Sequence, residues 1–94
     1  MLFGETLRKR RESKGLLLRQ AAAFLEVDTA FVSKLERSER NASKDQVLKL
    51  AAFLKIPENE LLTIWLADKI FEVIKAEDQG KQSLEFVLNK LKEL

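Results

Sequence analysis

Between Thr29 and Arg37 the chain reads TAFVSKLER, and two kinds of side chain interleave along it. Phe31, Val32 and Leu35 share one face at helical spacing. Thr29, Ala30, Ser33, Lys34 and Arg37 share the other, and all are short and polar, small, or cationic. Their chemistry is hydrogen-bond donation and charge neutralisation. A helix with one face to bury and an outer face of this kind suits the DNA major groove, which admits a helix and displays donors and acceptors on every base edge. Lys34 is the one long donor in the middle of that face and can reach guanine O6 and N7.

A second short helix must hold this one in place. Gln20 to Leu25 carries Ala21, Ala22, Phe24 and Leu25 at helical spacing, and Glu26-Val27-Asp28 makes the break between the two. Asp28 is placed as an N-cap, and Val27 before it can pack back as a staple. The pair reads as two helices joined by a tight turn.

Upstream, Phe3 to Lys14 is predicted as a first helix that Gly15 ends in a left-handed cap, with Arg8 to Arg11 and Lys14 toward the negative end of its dipole. Arg8 and Lys9 read as a solvated helix end. Arg11 falls one turn beyond Leu7, so it points inward, where it would need a carboxylate. Leu16-Leu17-Leu18 is an unusual lead into a helix, because helix starts prefer Ser, Thr, Asp or Asn. A DNA phosphate beside Arg19, or solvent, would have to satisfy the free N–H groups there.

Downstream, Ser38 to Ala42 is a polar loop. Ser43-Lys44-Asp45-Gln46 has the form of a capping box opening a fourth helix through Val47, Leu48, Leu50, Ala51 and Leu54. Lys55-Ile56-Pro57 ends it. From Glu58 to about Ala76 runs a long helix whose apolar residues, Leu61 to Ile74, cover more than one face, so a second surface is expected to cover the remainder. Glu77 to Gly80 is a break, and Gln82 to Leu94 is a last amphipathic helix bearing Leu84, Val87, Leu88, Leu91 and Leu94.

Composition supports an all-α protein: 94 residues, nearly half apolar and a third charged, hold three glycines and one proline. With neither cysteine nor histidine, disulfides, thiolate metal sites and the commonest general base are excluded, so no catalytic residue, cofactor or metal is assigned. Glu58 and Glu60 lie two residues apart on a helix, do not face the same way, and read as first-turn dipole partners. No apolar run approaches the roughly 18 residues of a membrane span, and the opening Met-Leu-Phe-Gly leads straight into charge, so a cytoplasmic protein is expected. The net charge of +2 conceals an asymmetry: 12 Lys/Arg against 7 Asp/Glu up to Pro57, net +5, and 5 against 8 from Glu58 onward, net −3. A basic front and an acidic back fit a phosphate-facing module carrying a tail with another task.

Taken together, Leu7-Arg8…Arg11…Lys14-Gly15-Leu16, Ala22…Leu25…Val27, Val32-Ser33-Lys34-Leu35-Glu36-Arg37, Leu48…Leu50-Ala51…Leu54 and Leu61-Leu62 resemble the phage-repressor-like, or Xre-type, helix-turn-helix family in order and spacing. Val27-Asp28-Thr29…Glu36-Arg37-Ser38-Glu39-Arg40-Asn41 is similar to the controller proteins of bacterial restriction–modification systems. The resemblance, which covers roughly Phe3 to Leu62, implies a five-helix repressor-like helix-turn-helix domain, residues 1–66; the excess of apolar faces downstream predicts a C-terminal helical dimerisation extension, residues 67–94. The resemblance also implies an ion pair between Arg11 and Glu36, base contacts from Thr29, Ala30, Ser33 and Lys34, and backbone contacts from Arg37, Arg40, Asn41 and Lys44. Two departures stand out: Ser38 replaces the family's usual glycine, which would blunt that turn, and Leu17 and Leu18 replace polar residues. The expected function is a homodimeric transcriptional regulator on double-stranded DNA with a pseudo-palindromic operator and no small-molecule ligand. Its interface would take Trp65, Ile70, Phe71, Ile74, Val87, Leu88 and Leu91. An antitoxin-like or adaptor protein, whose C-terminal helices bind another protein, is the alternative.

Overall fold

Several helix boundaries follow from a local hydrogen-bonding solution in the computed structural model, which describes residues 1–94. Six helices follow in order: α1 Leu2–Ser13, α2 Leu18–Leu25, α3 Thr29–Glu36, α4 Lys44–Leu54, α5 Glu58–Ile74 and α6 Gly80–Leu91. Asp28 Oδ1 accepts from the N–H of Phe31 at 2.8 Å and opens α3. Ser43 and Gln46 close a full capping box on α4, Gln46 N–H donating to Ser43 Oγ at 3.2 Å and Ser43 N–H to Gln46 Oε1 at 3.0 Å. At α2, Gln20 Oε1 accepts from the N–H of Leu17 at 2.7 Å, half of such a box, since leucine has nothing to return. The N–H groups of Leu18 and Arg19 find no acceptor in the chain.

The first four helices end alike, each in one left-handed residue after which the chain doubles back onto the last turn. The residues are Gly15 (φ +67), Glu26 (φ 59), Ser38 (φ 62) and Lys55 (φ 57). Ser38 therefore turns as sharply as a glycine would, contrary to the blunter turn expected of serine there. Its N–H donates to Leu35 O, and that of Glu39 to Lys34 O at 2.8 Å. Three non-glycine residues carry the conformational cost, about 1–2 kcal/mol each before compensation by these bonds.

The core lies among α1 to α4 and the first turns of α5, with Leu7, Val32, Leu35, Val47, Leu50, Leu54 and Leu61 its most deeply buried side chains. Gly4 fixes how closely α1 meets α3. A Cβ there would lie 2.6 and 2.7 Å from the carbonyl oxygens of Glu36 and Leu35 and 2.9 Å from Ser38 Oγ. The start of α1 has no side-chain cap of its own. Instead Asp68, on α5, accepts from the N–H groups of Leu2 (3.3 Å) and Phe3 (2.8 Å). The expected boundary after Leu66 thus falls inside an unbroken helix that is tied back to α1 beyond that point. The chain's real bend is at residues 75–79, where Gly80 sits against Ile74 so closely that a Cβ would come within 2.7 Å of its carbonyl oxygen.

Past that bend α6 stands off the body. Phe86, Val87, Leu88 and Leu91 are all at least half exposed. No helix is long and apolar enough to cross a membrane.

Gly4→Ala should destabilise by about 1–3 kcal/mol, because two backbone carbonyls must move to admit one methyl group. Thermal unfolding followed by circular dichroism measures it, and an unchanged midpoint would contradict the close approach of α1 to α3.

Candidate nucleic-acid interface

The outward edge of α3 is assembled by what its inner edge is fastened to. Val32 and Leu35 are 1 % exposed and anchor the helix in the core, while Phe31 is half-buried beside them. At its C-terminal end Glu36 meets Arg11 of α1, whose guanidinium donates through Nε to Oε2 at 2.7 Å and through Nη2 to Oε1 at 3.0 Å. Arg11 Nη1 donates a third bond, 2.8 Å, to the carbonyl of Leu16 in the turn leading into α2. One cation therefore joins α1, α3 and the approach to α2. The hydrogen bond to Glu36 raises the Arg11 pKa above its ordinary value, burial works against it, and the charges of Glu36 and Glu12 add to the rise. A raised cationic pKa gives stability that is fully present below the unfolded-state value and is lost only as pH climbs past it. The guanidinium thus stays charged and paired throughout the neutral range.

With that end clamped, Thr29, Ala30 and Lys34 face solvent and Ser33 is half-buried between them. Arg19 in the first turn of α2, Arg37, Arg40 and Asn41 just after α3, and Lys44 at the start of α4 are all exposed. Their electrostatic states differ. Arg37 is held by Glu39, Nε to Oε2 at 3.3 Å, a solvent-facing pair of little intrinsic strength. Arg19, Lys34, Arg40 and Lys44 have no carboxylate within ion-pair distance, so four of the five cations assigned to this surface are free for an outside anion. Arg40 lies over the ring of Phe31, its guanidinium carbon 5.2 Å from the centroid, which lays it along α3. Helical spacing marks Phe31 as a core residue, and the turn at Ser38, which sends the chain back, makes it a platform as well.

Elsewhere the polar groups serve structure. Glu60 accepts from Arg10 at 2.9 Å, tying α5 to α1. Trp65, one of the expected interface residues, also has partners within its own chain: its Nε1–H donates to Ala42 O at 2.9 Å, its ring packs on the core, and Lys69 lies 4.4 Å over it. Ile70 and Phe71 stay exposed and Ile74 half-buried, on the opposite face of α5 from Trp65 and Lys69.

Residues 7–61 match the family model for helix-turn-helix proteins. The chain is 33 % identical over 84 residues to the uncharacterised HTH-type transcriptional regulator RghRB of Bacillus subtilis (strain 168), an alignment covering 87 % of this chain and 60 % of that one. It is 39 % identical over 61 residues to the HTH-type transcriptional repressor RghR of the same organism, covering 64 % of this chain and 45 % of the relative. The match thus spans about half the length of each curated relative. Among solved structures, that of the restriction-modification controller protein C.AhdI from Aeromonas hydrophila is similar with a TM-score of 0.58 and 41 % identity, over 63 % of this chain and 89 % of that one.

Glu36→Ala leaves the buried Arg11 cation without its carboxylate and should destabilise by about 3–5 kcal/mol. Chemical denaturation checks this. A loss below about 1 kcal/mol would place the pair in the class of solvent-screened surface bridges.

Proposed function

The chain belongs to the Xre-type helix-turn-helix family, and on that premise we propose that it is a sequence-specific DNA-binding regulator that works as a homodimer on a pseudo-palindromic operator. The observation that carries the reading is the α3 edge: a short polar and cationic face, held rigidly by the Arg11–Glu36 clamp, next to cations without partners in the chain. In this reading Thr29, Ala30, Ser33 and Lys34 meet base edges in the major groove, and Arg19, Arg37, Arg40, Asn41 and Lys44 meet phosphates. The free N–H groups of Leu18 and Arg19 at the start of α2 add a place for one phosphate, where the helix dipole favours an anion. Arg37 would exchange its exposed bond to Glu39 for the DNA backbone.

One eight-residue helix reads few base pairs, and a two-fold pair of them, set about 34 Å apart, reads successive major grooves on one side of the duplex. The apolar residues that the fold leaves outside the core, Ile70, Phe71, Ile74, Val87, Leu88 and Leu91, supply the dimer contact; Trp65 is already engaged within its own chain. The same exposed face on α6 favours a second reading, an antitoxin-like or adaptor role in which α6 docks a different protein. A light-scattering mass of the isolated chain separates the two. The homodimer predicts twice 10.8 kDa at micromolar concentration, and deletion after Gln79 returns it to a monomer that binds the full operator far more weakly. A monomeric full-length chain would favour the second reading.

Lys34→Ala should cost about 1–3 kcal/mol at the operator and relax preference at one base pair, whereas Lys44→Ala or Arg40→Ala should weaken all sequences alike and flatten the dependence on salt. Titrations of the three variants at several salt concentrations on specific and unrelated duplexes check this. If Lys34→Ala behaves like the other two, its role is a phosphate contact and the base-reading assignment fails.

A further inference from the structure

Two unfilled features of the C-terminal third fit one another. The first is a groove of about 510 Å³ at the corner of α1, α5 and α6, lined by Leu2, Ala67, Ile70, Phe71, Ile74 and Leu84 among others. Its one charged residue, Asp68, is already committed, because its two carboxylate oxygens accept from the N–H groups of Leu2 and Phe3. The groove therefore offers carbon and asks for carbon. The second is α6 itself. Its stripe of Leu84, Val87, Leu88 and Leu91 recurs at i, i+3, i+4 and i+7, and Val87, Leu88 and Leu91 are 50, 51 and 56 % exposed. A twelve-residue helix without tertiary packing is marginal in water, so a surface must cover this stripe for α6 to persist. Its own groove does not receive it. The bend at residues 75–79, with Gly80 wedged on Ile74, brings only Leu84 to the rim and carries the rest of the stripe away.

We propose that α6 of each chain seats in the groove of a second copy, giving a helix-exchanged dimer. The proposal rests on the homodimer reading above and specifies its architecture. A second copy is the occupant that satisfies both features at once: each chain brings one groove and one stripe, and a two-fold operation fills both grooves and covers both stripes. A partner of another kind would have to supply both an apolar element for the groove and an apolar surface for α6, which a second copy already carries. The area is adequate as well. The exposed parts of Leu2, Ile70, Phe71, Leu84, Val87, Leu88 and Leu91 amount to roughly 650 Å² per chain, or about 1,300 Å² for two copies, within the range of standard-size interfaces. Charge sets no obstacle, since Lys69 and Glu72 on α5, Lys75 just past its end, and Lys81, Glu85 and Lys90 on α6 mix both signs.

The chain has no cysteine, so introduced thiols report on geometry without interference. Ile70→Cys in an affinity-tagged full-length chain is mixed with Leu88→Cys in an untagged one and oxidised, with Ala67→Cys and Leu91→Cys as a second pair should either variant of the first lose its helical circular dichroism. The expected result is a disulfide between tagged and untagged chains, formed without denaturant and suppressed in it. The double variant Ile70→Cys/Leu88→Cys should run as a covalent dimer on non-reducing gels. A bridge within one chain in that double variant would show α6 folding onto its own groove, and bridges only between two position-88 thiols would show α6 pairing with α6; either overturns the exchange while leaving a homodimer possible. A monomeric mass by light scattering for the unmodified chain would overturn the homodimer itself.

Discussion

Arg11 and Glu36 form the constraint around which the DNA-facing half is arranged. Two bonds to the carboxylate and one to the carbonyl of Leu16 use the guanidinium on α1, α3 and the turn before α2 together. Taking two charges out of water is expensive, and such a pair gives little net stability compared with a well-packed apolar replacement. What it supplies is position. An apolar contact tolerates sliding and rotation of α3, whereas a bidentate guanidinium–carboxylate bond admits one orientation of the helix end. Gly4 works toward the same end by letting α1 lie against the carbonyls of Leu35 and Glu36. In the proposed role of α3 both matter, because hydrogen bonds to base edges lose most of their worth when misplaced.

Local chemistry was legible in the sequence and long-range chemistry was not. Asp28, Ser43 with Gln46, and Gly15 act within three residues of themselves, and each does what its type and position imply. The left-handed turns at Glu26, Ser38 and Lys55 carried no such signal, since tertiary packing holds residues there that would not choose that conformation alone. Asp68 capping α1 from 65 residues away, Trp65 donating to Ala42 and Arg40 lying over Phe31 all depend on how the helices meet. For α3, periodicity separated the buried Val32 and Leu35 from the outward Thr29, Ala30 and Lys34, with Ser33 and Phe31 half-buried between them. The pairing state of each cation, free for Lys34 and held for Arg37, needed coordinates.

α5 explains why its sequence carries apolar residues on more than one face. Its first half closes the core through Leu61, Leu62, Ile64 and Trp65, and its second half presents Ile70 and Phe71 on the side away from Trp65. Asp68 stands between the two and ties the helix to the start of α1. Because α1 also carries Arg11, the surface proposed for dimerisation and the surface proposed for DNA are parts of one rigid frame. Rigidity of that frame would set the distance between two reading helices in a dimer, and so the spacing of half-sites the protein accepts.

Selection from a pool of random double-stranded DNA by the full-length chain, carried out at low and at physiological salt, tests that claim most directly. The account predicts enrichment of an inverted repeat whose half-sites lie one helical turn or a multiple of it apart, with enrichment persisting at physiological salt. A pool that stays random, or one that enriches single half-sites with no fixed spacing between them, would contradict it.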